Sequence, residues 1–156
     1  MEPMKEKHGG ATSTSMDLRD WVRLLRCAMM IEKRLRRNFQ EQFGTTLPRF
    51  DVMASLDRYP AGQNMGDLSR ALLVSNGNVT AIVRHLQSEG LVVSRVDPQD
   101  GRAAIVALTK QGKAKFAELA AAHRGWVQDA LAGFPAEKQQ QLIALLDELK
   151  SSIGRT

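Results

Sequence analysis

The fold is decided by residues 91–112, which read LVVSRVDPQDGRAAIVALTKQG. Two short apolar runs flank a turn-rich segment at residues 97–102, and Asp-Gly between strand-like runs is a strong signal for a β-hairpin. Directly upstream, the pattern predicts a capped helix over residues 75–89 that ends at Gly90. A helix followed at once by a hairpin with a basic tip is typical of a DNA reader. The helix enters the major groove, and the tip reaches a flanking minor groove.

The composition fits one domain with its own core, because the chain has 156 residues. No run of about 18 apolar residues is present that could span a bilayer. Residues 1–16 are polar and lack the apolar segment of a secretory signal, so we predict a disordered tail there. A single cysteine, Cys27, leaves no partner for an intramolecular disulfide and fits a reducing compartment. We therefore expect a cytoplasmic protein.

The net charge of +5 is unevenly distributed. Residues 17–43 hold seven basic and four acidic side chains, and residues 110–156 hold seven and five, whereas residues 48–109 hold six of each. Because the predicted DNA reader is neutral on average, DNA binding depends on where its charges lie. Five arginines of this segment are expected to face the phosphates: Arg58, Arg70, Arg84, Arg95 and Arg102.

Apolar residues at helical spacing predict a mainly α-helical chain around this hairpin. The first helix is predicted from about Met16 to a stop at Gly44. The remaining helices are predicted over residues 48–58, 65–72, 75–89, 110–132 and 136–153, with caps at Thr46, Asn64, Ser75 and Thr109. Two short helices joined by a tight turn form a helix-turn-helix, and the hairpin adds a wing. The predicted fold class is therefore a winged helix-turn-helix, mainly α with a small β-hairpin.

The division of the chain follows from the apolar faces of its end helices. Residues 46–109 would form a DNA-binding lobe within a single domain that spans residues 17–153. The helices over residues 17–44 and 110–153 carry more apolar surface than so small a core can cover, so they are expected to pack against a second copy. Such a homodimer would bury roughly 2,000 Å² or more. Its two-fold symmetry would set two recognition helices about one DNA turn apart.

The wing and its exit carry a family resemblance. Asp100, Arg102, Val106, Leu108, Thr109 and Gly112 match the pattern Asp-x-Arg-x-x-x-Val-x-Leu-Thr-x-x-Gly. Together with the stretch LSRALLVSNGNVTAIVRHLQSEGLVVSR, this resembles the MarR (multiple antibiotic resistance regulator) family of winged-helix transcription factors. One departure is Gly101, where many members carry a second basic residue. Fewer wing cations imply flank contacts that are weaker and less salt-dependent.

The resemblance implies roles for single residues. One set would meet bases and phosphates in the major groove: Ser75, Asn76, Asn78, Thr80 and Arg84. Arg102 would enter the minor groove, and Asp100 would orient it through a charge-assisted pair. The alternative for the two asparagines is helix capping beside Gly77. The alternative for the whole unit is a winged-helix protein-interaction module without DNA binding, which would be favoured if Arg84 and Arg102 fell on different faces.

A basic cluster on the first helix suggests an effector. Four cations lie within five residues, at Lys33, Arg34, Arg36 and Arg37. The resemblance implies a cavity beside this helix that receives a small anion, either an aromatic carboxylate or its coenzyme A thioester. Its apolar wall would come from Trp21, Leu25, Met29, Phe50, Met53 and Met65, although each is equally plausible as core packing. The alternative for the cluster is contact with DNA phosphates or simple solubility.

The predicted function is thus a homodimeric repressor that such an effector releases from a pseudo-palindromic operator. An activator or a ligand-independent regulator is the second reading. No cofactor, metal or catalytic activity is expected, because the sequence has no Gly-rich phosphate loop and no nucleophile elbow, and its three histidines lack metal-ligand spacing. Cys27 is expected to be a bystander rather than an oxidant sensor, since a sensing thiol needs a lowered pKa and an exposed pocket.

Overall fold

The structure, a computed structural model, describes residues 11–72 and 76–154 of the chain. Ser75 lies outside these residues, and for Asn76 only the backbone is described. Within the described ranges the elements follow the predicted order: α1 (Ala11–Phe43), α2 (Leu47–Asp57), β1 (Gln63–Asn64), α3 (Met65–Ala71), α4 (Asn76–Ser88), β2 (Val92–Val96), β3 (Ala104–Leu108), α5 (Lys110–Leu131) and α6 (Ala136–Ile153). The prediction of a mainly helical winged helix-turn-helix is confirmed.

The helix starts follow the capping residues that the sequence supplies. The side chain of Thr46 accepts a hydrogen bond from the Arg49 backbone N–H, and Asn64 accepts one from that of Asp67 at 2.7 Å. Thr109 caps α5 in the same way. Only the start of α1 differs clearly from the prediction, because helix begins at Ala11 and not near Met16. Residues 11–16 are therefore helical rather than part of a tail.

The sheet has three strands rather than two. β2 and β3 form the predicted antiparallel hairpin, with Val96 opposite Ala104, and β1 pairs with the other edge of β3. β1 was not predicted, since two residues are too few to show an alternating pattern. Its Gln63 is buried and accepts a hydrogen bond from the Ser55 hydroxyl at 2.9 Å. This pair satisfies both buried polar groups and ties α2 to the sheet.

The core lies where α1, α2 and α5 meet the helix-turn-helix. Phe39 is fully buried; its ring packs edge-on against Trp126, with centroids 4.8 Å apart, and lies tilted against the Phe50 ring, with centroids 4.9 Å apart. Two predicted effector residues belong to this core, since Phe50 is 5% exposed and Met53 only 1%. Of the two readings of these residues, cavity wall and core packing, the structure favours core packing.

The end helices leave apolar side chains uncovered. Helix α6 has no buried residue, and its apolar residues are all exposed: Leu142, Ile143, Leu145, Leu146, Leu149 and Ile153. The N-terminal part of α1 exposes a second set: Met16, Leu18, Trp21, Val22, Leu24, Leu25, Met29 and Met30. So many exposed apolar residues along two helices are typical of an interaction site. Among the described residues, no helix combines the length and hydropathy needed to cross a bilayer.

Candidate nucleic-acid interface

Helix α4 separates cleanly into a buried and an exposed face. Val79, Val83 and Leu86 are buried at the i, i+4, i+7 spacing of one helix face. Ile82 is half-buried beside them, and three exposed residues of the helix were predicted to read DNA: Asn78, Thr80 and Arg84. The core therefore fixes the helix through one side and leaves the predicted reading side accessible.

The tip of the wing is a loop held by local hydrogen bonds. The Asp97 N–H donates to the Ala103 carbonyl and the Ala103 N–H to the Asp100 carbonyl, both at 3.0 Å. The Asp100 carboxylate accepts the backbone N–H of Arg102 at 3.1 Å. No ion pair joins these two side chains among the described residues, so the DNA-free structure lacks the predicted charge-assisted pair, and the role of Asp100 in orienting Arg102 on DNA stays a prediction. Asp100 shapes the backbone of the loop instead, and the Arg102 side chain is exposed.

The exit of the wing explains the Thr-x-x-Gly part of the sequence pattern. The Thr109 hydroxyl accepts the Gly112 N–H at 2.9 Å and donates to the Gly90 carbonyl at 2.7 Å. A Cβ on Gly112 would lie 1.9 Å from the Leu91 carbonyl oxygen, which is far inside van der Waals contact. Glycine at 112 therefore lets α5 start directly against the residues that link α4 to β2.

The five arginines that were expected to face the phosphates divide into two groups. Arg70 forms an ion pair with Asp67, and the Arg95 Nη2 donates to the Ala61 carbonyl at 2.6 Å. The other three are exposed, and no hydrogen bond or ion pair joins their side chains to the rest of the described chain: Arg58, Arg84 and Arg102. Two of these, Arg84 and Arg102, are the cations assigned to the reading helix and the wing.

The described chain does not bring the predicted effector residues together by itself. Trp21, Leu25 and Met29 are exposed on α1, whereas Phe50 and Met53 lie in the core. Lys33, Arg34 and Arg37 are exposed as well, and Arg36 pairs with Glu32. A cavity of about 200 Å³ does lie beside Met53, but its cations are Arg49 and Lys115, and none of the four predicted effector cations lines it.

Two electrostatic interactions between side chains far apart in the sequence were also not predicted. Arg49 forms an ion pair with Glu89, which joins the start of α2 to the end of α4 across 40 positions. No local pattern signals such a pair. Asp51 faces Glu32 and Arg36, and partial burial raises the pKa of its carboxyl, against the lowering effect of Arg36.

His123 packs among the aromatic residues of the core, whereas Cys27 lies at the surface. His123 stacks on Phe50 at 4.6 Å, and burial lowers the pKa of its imidazole. Within the described ranges no group of three or more His, Cys, Asp or Glu side chains is arranged to hold a metal ion. The Cys27 side chain is exposed on α1.

This arrangement, a helix-turn-helix with an exposed second helix and a β-hairpin wing, defines a winged-helix DNA-binding protein. Residues 43–103 match the family model described as MarR family. The chain is 30% identical over 149 residues to the transcriptional activatory protein BadR of Rhodopseudomonas palustris, covering 90% of this chain and 85% of that protein. It therefore belongs to the MarR family of DNA-binding transcriptional regulators, which are not enzymes.

Solved structures agree with this assignment. A MarR family transcriptional regulator from Silicibacter pomeroyi superimposes with a TM-score of 0.80 at 29% identity, covering 92% of this chain and 99% of that one. Sco3205 of Streptomyces coelicolor, solved in complex with DNA, superimposes with a TM-score of 0.76, covering 88% of both chains. At 19% identity the second likeness shows the fold alone. Family membership disfavours the alternative of an interaction module without DNA binding.

Proposed function

We propose that this regulator is a cytoplasmic homodimer that represses transcription by occupying a pseudo-palindromic operator. The observation that carries the proposal is the accessibility of the two arginines assigned to DNA recognition. Arg84 on α4 and Arg102 on the wing are exposed and have no ion-pair partner among the described residues, whereas Arg70 and Arg95 are engaged within the protein. Exposed arginines suit guanine edges in the major groove and narrow minor grooves. Asn78 is suited to adenine in the same way.

The uncovered apolar faces support the homodimer. On α6, Leu142, Leu146 and Leu149 recur at i, i+4, i+7 and form a stripe like that of a packed helix. A two-fold interface of α1 and α6 with a second copy would cover both apolar sets at once. Symmetry would then present two copies of α4 to successive major grooves, so the operator should be an inverted repeat.

The proposed effector is a small anion, either an aromatic carboxylate or its coenzyme A thioester. Lys33, Arg34 and Arg37 are its candidate partners, and they lie on the same helix as the exposed Trp21 and Met29. Because one protomer leaves all of these on an open helix surface, a second copy would have to complete the cavity. Effector binding would favour a dimer conformation in which the two copies of α4 are wrongly spaced for successive major grooves. A tenfold loss of operator affinity needs the effector to prefer that conformation by only about 1.4 kcal/mol.

A specific observation favours a second candidate, an activator. The relative with 30% identity is named a transcriptional activatory protein. In vitro transcription from a promoter that carries the operator separates the two functions. A repressor lowers transcript yield as it is added, and an activator raises it.

Fluorescence anisotropy with duplexes taken from the protein's own genomic neighbourhood tests the proposal. We expect tight binding to a duplex with an inverted repeat and much weaker binding when one half-site is scrambled. Equal binding to both duplexes would contradict the dimeric reader.

Isothermal calorimetry with a panel of aromatic acids and coenzyme A thioesters tests the effector. A triple variant, Lys33→Gln with Arg34→Gln and Arg37→Gln, should abolish effector release while operator affinity is kept. The matched control is Lys138→Gln, which removes an exposed cation from α6. Loss of operator affinity in the triple variant, with a smaller salt dependence, would instead identify these residues as phosphate contacts.

A further inference from the structure

We infer that Arg95 is a positioning residue that holds the wing at a fixed angle to the helix-turn-helix, rather than a phosphate contact. The inference rests on the proposed role of the wing in DNA binding. Its starting observation is the 2.6 Å hydrogen bond from the Arg95 guanidinium to the Ala61 carbonyl, which joins positions 34 apart in the chain. Because the donor is charged, this contact is stronger than an ordinary hydrogen bond between neutral groups.

The hydrogen bond crosses the whole width of the sheet. The strand order is β1-β3-β2, so β2 and β1 are opposite edges. Arg95 of β2 is paired with Ile105 of β3, and Ile105 is paired in turn with Asn64 of β1. Ala61 lies two positions before the start of β1. The Arg95 side chain therefore leaves the outer strand of the wing and ends on the segment that leads into the opposite edge.

The acceptor is itself held firmly. Gly62, the next residue, has φ +96°, and its N–H donates to the Tyr59 carbonyl at 2.8 Å. A Cβ at this position would lie 2.5 Å from Ile105 Cγ2 and 2.8 Å from the Val106 carbonyl oxygen. The turn is thus pressed against β3, on the face to which Ile105 points. Arg95 reaches a carbonyl whose place is fixed by backbone geometry and close packing.

Apart from its pairing with β3, the outer strand β2 of the wing has few contacts that fix its position. Four of the five β2 residues are exposed, and only Val92, at the base of the strand, is buried. β1 pairs with only two residues of β3, Val106 and Ile105, and does not contact β2 or extend along the loop at residues 97–103. A two-stranded hairpin is marginally stable on its own. The direction in which the tip points, and with it the place of Arg102, therefore depends on contacts that brace β2 from the side.

A double-mutant cycle distinguishes positioning from direct contact. Arg95→Met keeps the aliphatic stem and removes the donor, and we expect operator affinity to fall about two- to tenfold, the range for one hydrogen bond. In an Arg102→Ala background the same change should hardly alter operator affinity. The wing then no longer has the Arg102 contact with DNA that Arg95 would position. The dependence of affinity on salt should keep its slope in Arg95→Met. Arg124→Met, which removes an exposed cation from α5, is the control and should bind as the parent protein does.

A second measurement tests the brace without DNA. In the free protein, the wing amides of Asp97 and Ala103 should exchange with deuterium faster in Arg95→Met than in the parent, while the amides of α5 stay unchanged. Parent-like exchange would overturn the inference. Additive losses in the cycle, with the salt slope reduced by about one, would also overturn it and assign Arg95 to a phosphate. If Arg102→Ala alone binds normally, the proposed wing contact fails, and the exchange result then decides the role of Arg95 separately.

Discussion

Two glycines of α5 should respond to the same substitution in opposite directions. Alanine at 112 would place its Cβ 1.9 Å from the Leu91 carbonyl oxygen and 3.3 Å from Leu108 Cδ2. That oxygen also accepts the Thr109 N–H at 3.1 Å, so a shift that relieves the clash weakens this hydrogen bond as well. Overpacking costs about 1–3 kcal/mol and a lost hydrogen bond about 1 kcal/mol more, which gives a loss of roughly 2–4 kcal/mol for Gly112→Ala.

The matched change is Gly125→Ala in the same helix. A Cβ at 125 meets nothing within 4 Å, so the substitution only removes the flexibility of glycine from a helix interior. We expect the protein to gain about 0.5–1 kcal/mol.

Thermal denaturation followed by circular dichroism, at one fixed protein concentration, measures both variants. For a chain of this length 1 kcal/mol shifts Tm by about 2–4 °C, so Gly112→Ala should melt roughly 4–16 °C below the parent and Gly125→Ala slightly above it. If Gly112→Ala has the same Tm as the parent protein, α5 does not approach the Leu91 carbonyl as closely as described. The structural explanation of the wing exit would then be wrong.

Three further predictions concern DNA binding, assembly and pH. Arg102→Ala should weaken operator binding by about 1–3 kcal/mol in an anisotropy titration while sedimentation still shows a dimer; parent-like affinity would refute the wing contact. Leu146→Asp should split the dimer in analytical ultracentrifugation, whereas Gln140→Asp, on the polar face of α6, should not; a dimeric Leu146→Asp would exclude this interface. The lowered pKa of His123 means that the unfolded chain binds the extra proton more readily, so the free energy of unfolding should decline as the pH falls below about 6.5. Chemical denaturation at several pH values should show a smaller decline for His123→Phe, and an equal decline would assign the effect to other groups.

Most of the fold could be predicted from local signals. The caps at Thr46, Asn64 and Thr109 mark helix starts through the polarity of one side chain, and the structure has all three. The hairpin follows from turn chemistry in the same way. β1 could not be predicted, because it exists only through pairing with β3, some 40 positions later in the chain. The early start of α1 at Ala11 also lacked a signal, since residues 11–15 carry no apolar periodicity.

In the candidate site, too, only the features set by local sequence signals could be predicted. The accessible face of α4 follows from helical periodicity, so Asn78, Thr80 and Arg84 were placed correctly on its exposed side. The partners of charged side chains depend on tertiary distances, which no spacing in the sequence reveals. For this reason the sequence did not reveal the hydrogen bond from Arg95 to the Ala61 carbonyl, or the one that the Asp100 carboxylate accepts from a backbone N–H. The grouping of the effector residues fails for a related reason, because Phe50 and Met53 serve the core.

Hydroxyl-radical footprinting, combined with the mass of the complex from sedimentation equilibrium, tests the central claim most directly. The DNA should be a duplex with an inverted repeat from the neighbourhood of the protein's own gene. We expect two chains per duplex and two equivalent protected patches, related by two-fold symmetry and about one helical turn apart. One chain per duplex, or a single protected patch, would contradict the picture of paired reading helices with an arginine-tipped wing on each side.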